Sequence, residues 1–360
     1  MIIIALSFFV ILIIAHEYGH FIAAKRNGVE VEEFGIGFPP KIVGKTFGKG
    51  IWRSYYSLNL LPLGGFVRLK GEADADKGKG TYGSATFWAK TKIILAGVLM
   101  NLLLAWMIFT VLAASGIPSL IDNQYTRDSA KSVKEFVAVG LVAEDSPASS
   151  SGIEVGDRIS SIGGQEIKSS DDLFDATKSL AGEEVVIEYV RDGQSAQATA
   201  KLNDEDSDKP YLGVGPADIN VKSYPLIEAP LVGAATTLQL AGETYKGLGA
   251  LVGSVAGGEF SEAADSVSGP VGIFVILNNA STFGFEFLIF FIGIISLTLA
   301  IMNSLPLPAL DGGKLFVSGL FKLLKRPLTK DVETAIHGTG FAVLMALILL
   351  ISYIDVQRFF

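Results

Sequence analysis

Four stretches of predominantly apolar residues punctuate the chain: Ile2 to Ala24, Ile93 to Ile117, Phe287 to Leu305 and Ala335 to Ile354. Each reaches the roughly 20 residues that a helix needs to cross about 30 Å of hydrocarbon, so the pattern predicts four transmembrane helices. The first lacks the basic flank and small-residue cleavage site of a signal peptide and reads as a span. Between the spans the rhythm changes. Phe34 to Pro40 and Ser54 to Lys70 alternate apolar and polar positions around Gly and Pro, which predicts hairpins in a region of about 31–70. From Lys134 to Val221 short alternating strands surround one helix at Asp171 to Ser179, an α+β insert between the second and third spans. Pro225 to Gly257 is rich in Leu, Ala and Gly but carries Glu228, Glu243 and Lys246. At about 2.5–3.5 kcal/mol per charge at mid-bilayer, it reads as interfacial amphipathic helix. The expected fold is an α-helical polytopic membrane protein with a membrane-associated β-hairpin region and one inserted α+β domain. Its parts are residues 1–117 (two spans and the hairpins), 124–222 (the insert), 223–283 (interfacial helices) and 284–360 (two spans).

Charge adds an orientation. Lys25 to Lys92 holds 12 Lys+Arg against 6 Asp+Glu, and Lys314, Lys322, Lys325, Arg326 and Lys330 make a second basic loop, so both are expected on the cytoplasmic side. Pro118 to Glu286 holds 11 Lys+Arg against 26 Asp+Glu, which suits a solvated domain on the opposite face, with both termini. A net charge of -8 and a pI near 5.1 exclude nucleic acid as a partner, because phosphate binding needs a basic stripe. The absence of cysteine removes disulfides, thiolate metal sites and a cysteine nucleophile.

The chain has only 3 histidines, and two of them stand in one motif. His16-Glu17-Tyr-Gly-His20 places both imidazoles one turn apart on one helix face, where they can ligate a single ion. At 1.5 Å per residue His16 lies about 22 Å along the first span, toward its cytoplasmic end. Ionisable groups at that depth are a functional site by default. A catalytic zinc needs a third protein ligand and an open fourth position. Asp311, in Asn303-Ser-Leu-Pro-Leu-Pro-Ala-Leu-Asp311-Gly-Gly313, follows a helix broken by two prolines and is the leading candidate; His337 is its rival.

These motifs, in this order and with the insert between spans two and three, resemble the intramembrane site-2 zinc metalloproteases. The likeness is to the bacterial branch that includes the regulator of sigma-E protease, and it covers nearly the whole chain. It implies one Zn2+ held by His16, His20 and Asp311, with Glu17 activating water and protonating the leaving amine. It implies that Asn303 holds the substrate strand or stabilises the oxyanion. It also implies a membrane-dipping β-loop whose strand edge, at Gly64, Gly65 and Phe66, binds an unwound substrate by strand addition. In the insert, Ser146-Pro-Ala148, Ser151-Gly-Ile153 and Gly156-Asp-Arg-Ile159 resemble a bacterial PDZ domain, with Tyr211-Leu-Gly-Val214 at the groove; one copy is visible where the sigma-E protease type has two.

The implied function is regulated intramembrane proteolysis in the bacterial inner membrane by a monomer embedded in the lipid bilayer. Its implied substrates are single-span proteins such as anti-sigma factors or remnant signal peptides. The PDZ either captures peptide termini or filters substrates by ectodomain size, the latter by family analogy. A catalytically silent scaffold binding extracytoplasmic peptides is the alternative, and an intact Glu17 argues against it. In a zinc protease of the other HExxH type a later Glu would be the third ligand, but Glu259 and Glu262 fall on the wrong side.

Overall fold

The computed structural model describes residues 2–121, 123–191, 193–204 and 209–360. In chain order the first elements are α1 (Ile2–Arg26), β1 (Val31–Phe47), β2 (Ser54–Leu69), α2 (Phe87–Ser115), β3 (Ile117–Pro118), β4 (Lys131–Val142) and α3 (Pro147–Ser150). Next come β5 (Arg158–Ile162), β6 (Gln165–Glu166), α4 (Ser170–Ser179), β7 (Glu184–Arg191), β8 (Gln194–Lys201) and β9 (Val214–Ser223). The chain finishes with α5 (Ala229–Gly257), α6 (Phe260–Asp265), α7 (Pro270–Thr282), α8 (Phe285–Ser304), α9 (Asp311–Leu323) and α10 (Lys330–Phe359). The helices α1, α2, α8 and α10 are long and apolar enough to cross a membrane.

Their ends differ from the expected ones for local reasons. The second span stops at Ser115 rather than Ile117, because Gly116 adopts φ +148, a conformation that a helix cannot continue. Ile117 and Pro118 pair instead with Lys222 and Val221. The fourth helix starts at Lys330, five residues before the expected run, where the Thr329 hydroxyl accepts from the Val332 N–H. The segment expected to form interfacial helices is one continuous 29-residue helix, α5, followed by the shorter α6 and α7.

The chain divides into two compact units, residues 1–107, 237–274 and 292–360, and residues 108–236 with 275–291. In the first, α1 packs against the β1–β2 sheet through Phe21, Ala24, Val29, Val31 and Phe34, joined by Ile93 and Ile94 of α2. Gly19 lets the two helices close, since a Cβ there would lie 2.7 Å from Met100 Cγ. The predicted hairpins prove to be two long strands folded back on themselves. Phe34 pairs with both Val67 and Tyr56, and Ser57 with both Gly35 and Gly44, so the segments lie in the order 65–69, 31–36, 54–59, 41–47. Gly37, at φ +78, makes the bend, and the Asn59 amide pins it by donating to the Ile36 and Gly37 carbonyls at 3.3 and 3.1 Å. Segment 65–69 is left as an edge, without a strand partner on its outer side among the described residues. The far end exposes Ile42, Val43, Phe47, Ile51 and Trp52 between Lys41, Lys45, Lys49 and Arg53.

In the second unit the sheet runs β3-β9-β4-β5-β7-β8, with β6 on β5. Inward-facing Val137, Val139, Ile159, Ile162 and Ile187 form its core with Leu173 and Ala176 of α4. Helix α4 begins with a reciprocal Ser169–Asp172 capping box. Arg191 grips the buried Asp157 with two bonds of 2.7 Å, which ties β7 to the turn before β5.

Candidate metal centre

The His-Glu-x-x-His segment lies in the second half of α1, and helical spacing aims both imidazoles to one side. The chain returns to them after α8. Pro306 and Pro308 end that helix, and the loop folds over the first turn of α9, where Gly312 and Gly313 leave no side chain to block it: a Cβ on either would overlap the carbonyls of Ser304, Leu305 or Leu307. This close approach delivers Asp311. Its Oδ2 lies 2.9 Å from His16 Nε2 and 3.0 Å from His20 Nε2, and the two Nε2 atoms are 3.1 Å apart. Three ligands on a tetrahedral zinc at about 2.0–2.1 Å would stand about 3.3 Å apart, so the three atoms need open by only a few tenths of an ångström. Among the described residues this is the cluster of His and carboxylate ligand atoms close enough to share an ion.

The site is mostly shielded, with His16 buried and His20 and Asp311 partly so. Burial works against the charge of Asp311, but its bonds to His16 and His20 outweigh that and hold the carboxyl below the ordinary carboxylate range. His20 donates through Nδ1 to the Ile93 carbonyl at 2.8 Å, which leaves Nε2 as the metal-binding lone pair.

Glu17 and His20 line a pocket of about 240 Å³ with Phe66, Val67, Leu69, Tyr82, Asp311 and Lys314. A Cβ on Gly65 would sit 3.6 Å from Glu17 Cγ, so the 65–69 edge runs directly past the carboxylate. Of the three expected β-loop residues, Gly65 and Phe66 reach the site, whereas Gly64 faces Phe38. Asn303 stands in the last turn of α8, half-buried, and its side chain makes no hydrogen bond to a described residue. His337 stands outside this cluster: its Nδ1 accepts from the Ala309 N–H at 3.3 Å, bracing the loop before Asp311, where Ala309 takes φ +77.

Two residues of α2 escaped the sequence reading. Gly97 faces both imidazoles, and a Cβ there would overlap His20 Nε2 and lie 2.8 Å from His16 Cε1. Asn101, one turn on, is 1% exposed and lies 3.4 Å from His16 Nδ1. The available signal was an amide inside an apolar span, four residues after a glycine.

Comparison with known proteins points to zinc metalloproteases. The model of peptidase family M50 matches residues 3–347. A protein of Clostridium perfringens with a zinc metalloprotease name is 32% identical over 99% of this chain and 98% of its own length. Zinc metalloprotease RasP of Shouchella clausii is 27% identical over 99% of this chain and 98% of its own. Among solved structures, the PDZ domain of an SdrC-like protein from Listeria monocytogenes is 31% identical over 24% of this chain and 92% of its own, with a TM-score of 0.21. The two imidazoles, the carboxylate and the whole-length relatives converge: the chain belongs to peptidase family M50 and is a site-2-type zinc metalloprotease.

Proposed function

We propose that the protein hydrolyses peptide bonds within or beside the transmembrane segments of single-span membrane proteins. The observation that carries this reading is a complete His-His-Asp ligand set with an adjacent glutamate, built into a helix apolar enough to cross a membrane. Bound zinc supplies a Lewis acid that polarises the scissile carbonyl and acidifies water. Glu17 takes the proton of the attacking water as its oxygen bonds to the carbonyl carbon, and returns it to the amide nitrogen as the C–N bond breaks. A helical substrate shields its peptide bonds, so it must be held extended. The free 65–69 edge offers backbone donors and acceptors for that purpose at the wall of the Glu17 pocket. Anti-sigma factors and remnant signal peptides are the expected substrate classes. The charge pattern supports a cytoplasmic-side site in the inner membrane, with the insert and both termini outside.

The insert serves in this reading as a PDZ-like size filter against bulky ectodomains. Val139 directs its N–H to the Asp157 carbonyl and its carbonyl to the Gly156 N–H, both at 2.8 Å, so its β9 partner Pro216 turns its backbone away from β4. That is the edge beside α4 where a peptide strand would add, and proline offers it no N–H. A groove lacking this donor favours exclusion over capture. The test is cleavage of a tagged single-span substrate by purified protein, beside Glu17→Gln: cleavage by wild type and none by the variant supports the proposal, and equal cleavage by both overturns it.

A further inference from the structure

Zinc binding dictates how the imidazoles must be protonated. His16 turns Nε2 toward Asp311 Oδ2 and His20 Nε2, so that nitrogen must keep a free lone pair and the ring proton must sit on Nδ1. For His20 the matter is settled by a backbone carbonyl, Ile93 O, which can only accept. For His16 the group at Nδ1 is the side chain of Asn101, whose Nδ2 is at 3.4 Å while its Oδ1 is buried without a donor. Two N–H groups cannot face each other across that gap. A half-turn of the amide exchanges its oxygen and nitrogen without changing its shape, and puts an acceptor where the Nδ1 proton points. The backbone at this position is anchored as well: the fully buried Ser296 of α8 donates its hydroxyl to the Asn101 carbonyl at 2.8 Å.

We propose that Asn101 is a positioning residue of the zinc centre, its side-chain oxygen accepting from His16 Nδ1–H and thereby holding the tautomer and ring orientation that leave Nε2 free for the metal. The proposal rests on the zinc reading of the site. One helix, α2, then orients both histidines of α1, by a main-chain carbonyl for His20 and by an amide for His16. Outer partners of this kind change metal affinity by about 10–100-fold when removed.

The test compares purified full-length wild type, Asn101→Asp and Asn101→Leu by chelator competition for zinc, with metal stoichiometry and melting of the metal-free proteins measured in parallel. Aspartate keeps an acceptor at the same place, whereas leucine keeps the bulk and offers none. The expected result is zinc affinity about 10–100-fold weaker in Asn101→Leu and within about threefold of wild type in Asn101→Asp. With only 3 histidines in the chain, imidazole nitrogen-15 shifts of the zinc-loaded wild type provide a second readout, expected to show His16 protonated at Nδ1. Wild-type affinity in Asn101→Leu, equal loss in both variants, or His16 protonated at Nε2 overturns the proposal. Wild type that binds no zinc overturns the metal reading beneath it.

Discussion

Gly97→Ala is a one-methyl change with a large expected effect. The added Cβ would stand 2.6 Å from His20 Cε1 and 2.8 Å from His16 Cε1, against at least 3.4 Å for an ordinary contact. The nearest atom is His20 Nε2 at 2.4 Å, so the ring must retreat by about 1.0 Å, the difference of 3.4 and 2.4 Å, while metal–ligand distances tolerate about 0.2 Å. Retreat is opposed because His20 Nδ1 is held by the Ile93 carbonyl at 2.8 Å. A misplacement near 1 Å at a reacting centre costs about 10²-fold in rate, and zinc affinity should fall by at least about tenfold. Helix propensity acts in the opposite direction, since alanine favours a helix interior over glycine by about 0.8–1 kcal/mol. A general loss of fold would therefore not be the cause. The assay is kcat/KM on a single-span substrate with chelator-competition zinc affinity and the melting temperature of the metal-free protein. Wild-type zinc affinity and cleavage in Gly97→Ala would refute the packing of α2 onto the imidazoles.

Asp311→Ala should lose zinc and activity together, and retention of one equivalent would move the third ligand to His337 despite its contact with Ala309. Asp355, fully buried on α10, accepts from the Gly272 N–H at 2.8 Å. Asp355→Ala should therefore destabilise by about 1–3 kcal/mol, read as a lower melting temperature at unchanged zinc content; an unchanged melting temperature would refute its anchoring role. Replacing residues 124–222 by a short linker should admit substrates with intact ectodomains. Loss of cleavage of every substrate, with zinc retained, would instead make the insert a recruiter.

The four spans were readable because lipid demands about 20 apolar residues, a constraint written locally in the chain. The His16–His20 spacing was readable for the same reason, as one helical turn needs no partner to define it. Asp311 was a weaker inference, since its place beside the histidines depends on how closely the loop at 305–308 packs on Gly312 and Gly313. What escaped was set by contacts distant in sequence. Gly97 and Asn101 look like unremarkable residues of an apolar run until α2 lies against α1. The double pairing of Phe34 with Val67 and Tyr56 is hidden in alternation that reads equally as two separate hairpins. The stop of α2 at Gly116 turns on a single positive φ, which apolar periodicity does not register.

The most direct test of the central claim is cleavage of a tagged single-span protein by the purified enzyme in detergent. Wild type would be run beside Glu17→Gln and beside wild type stripped by a zinc chelator. The account predicts cleavage by wild type alone, restored to the stripped enzyme by added zinc, with Glu17→Gln still binding one equivalent of metal. Cleavage that persists in Glu17→Gln, or that survives complete removal of zinc, would contradict it.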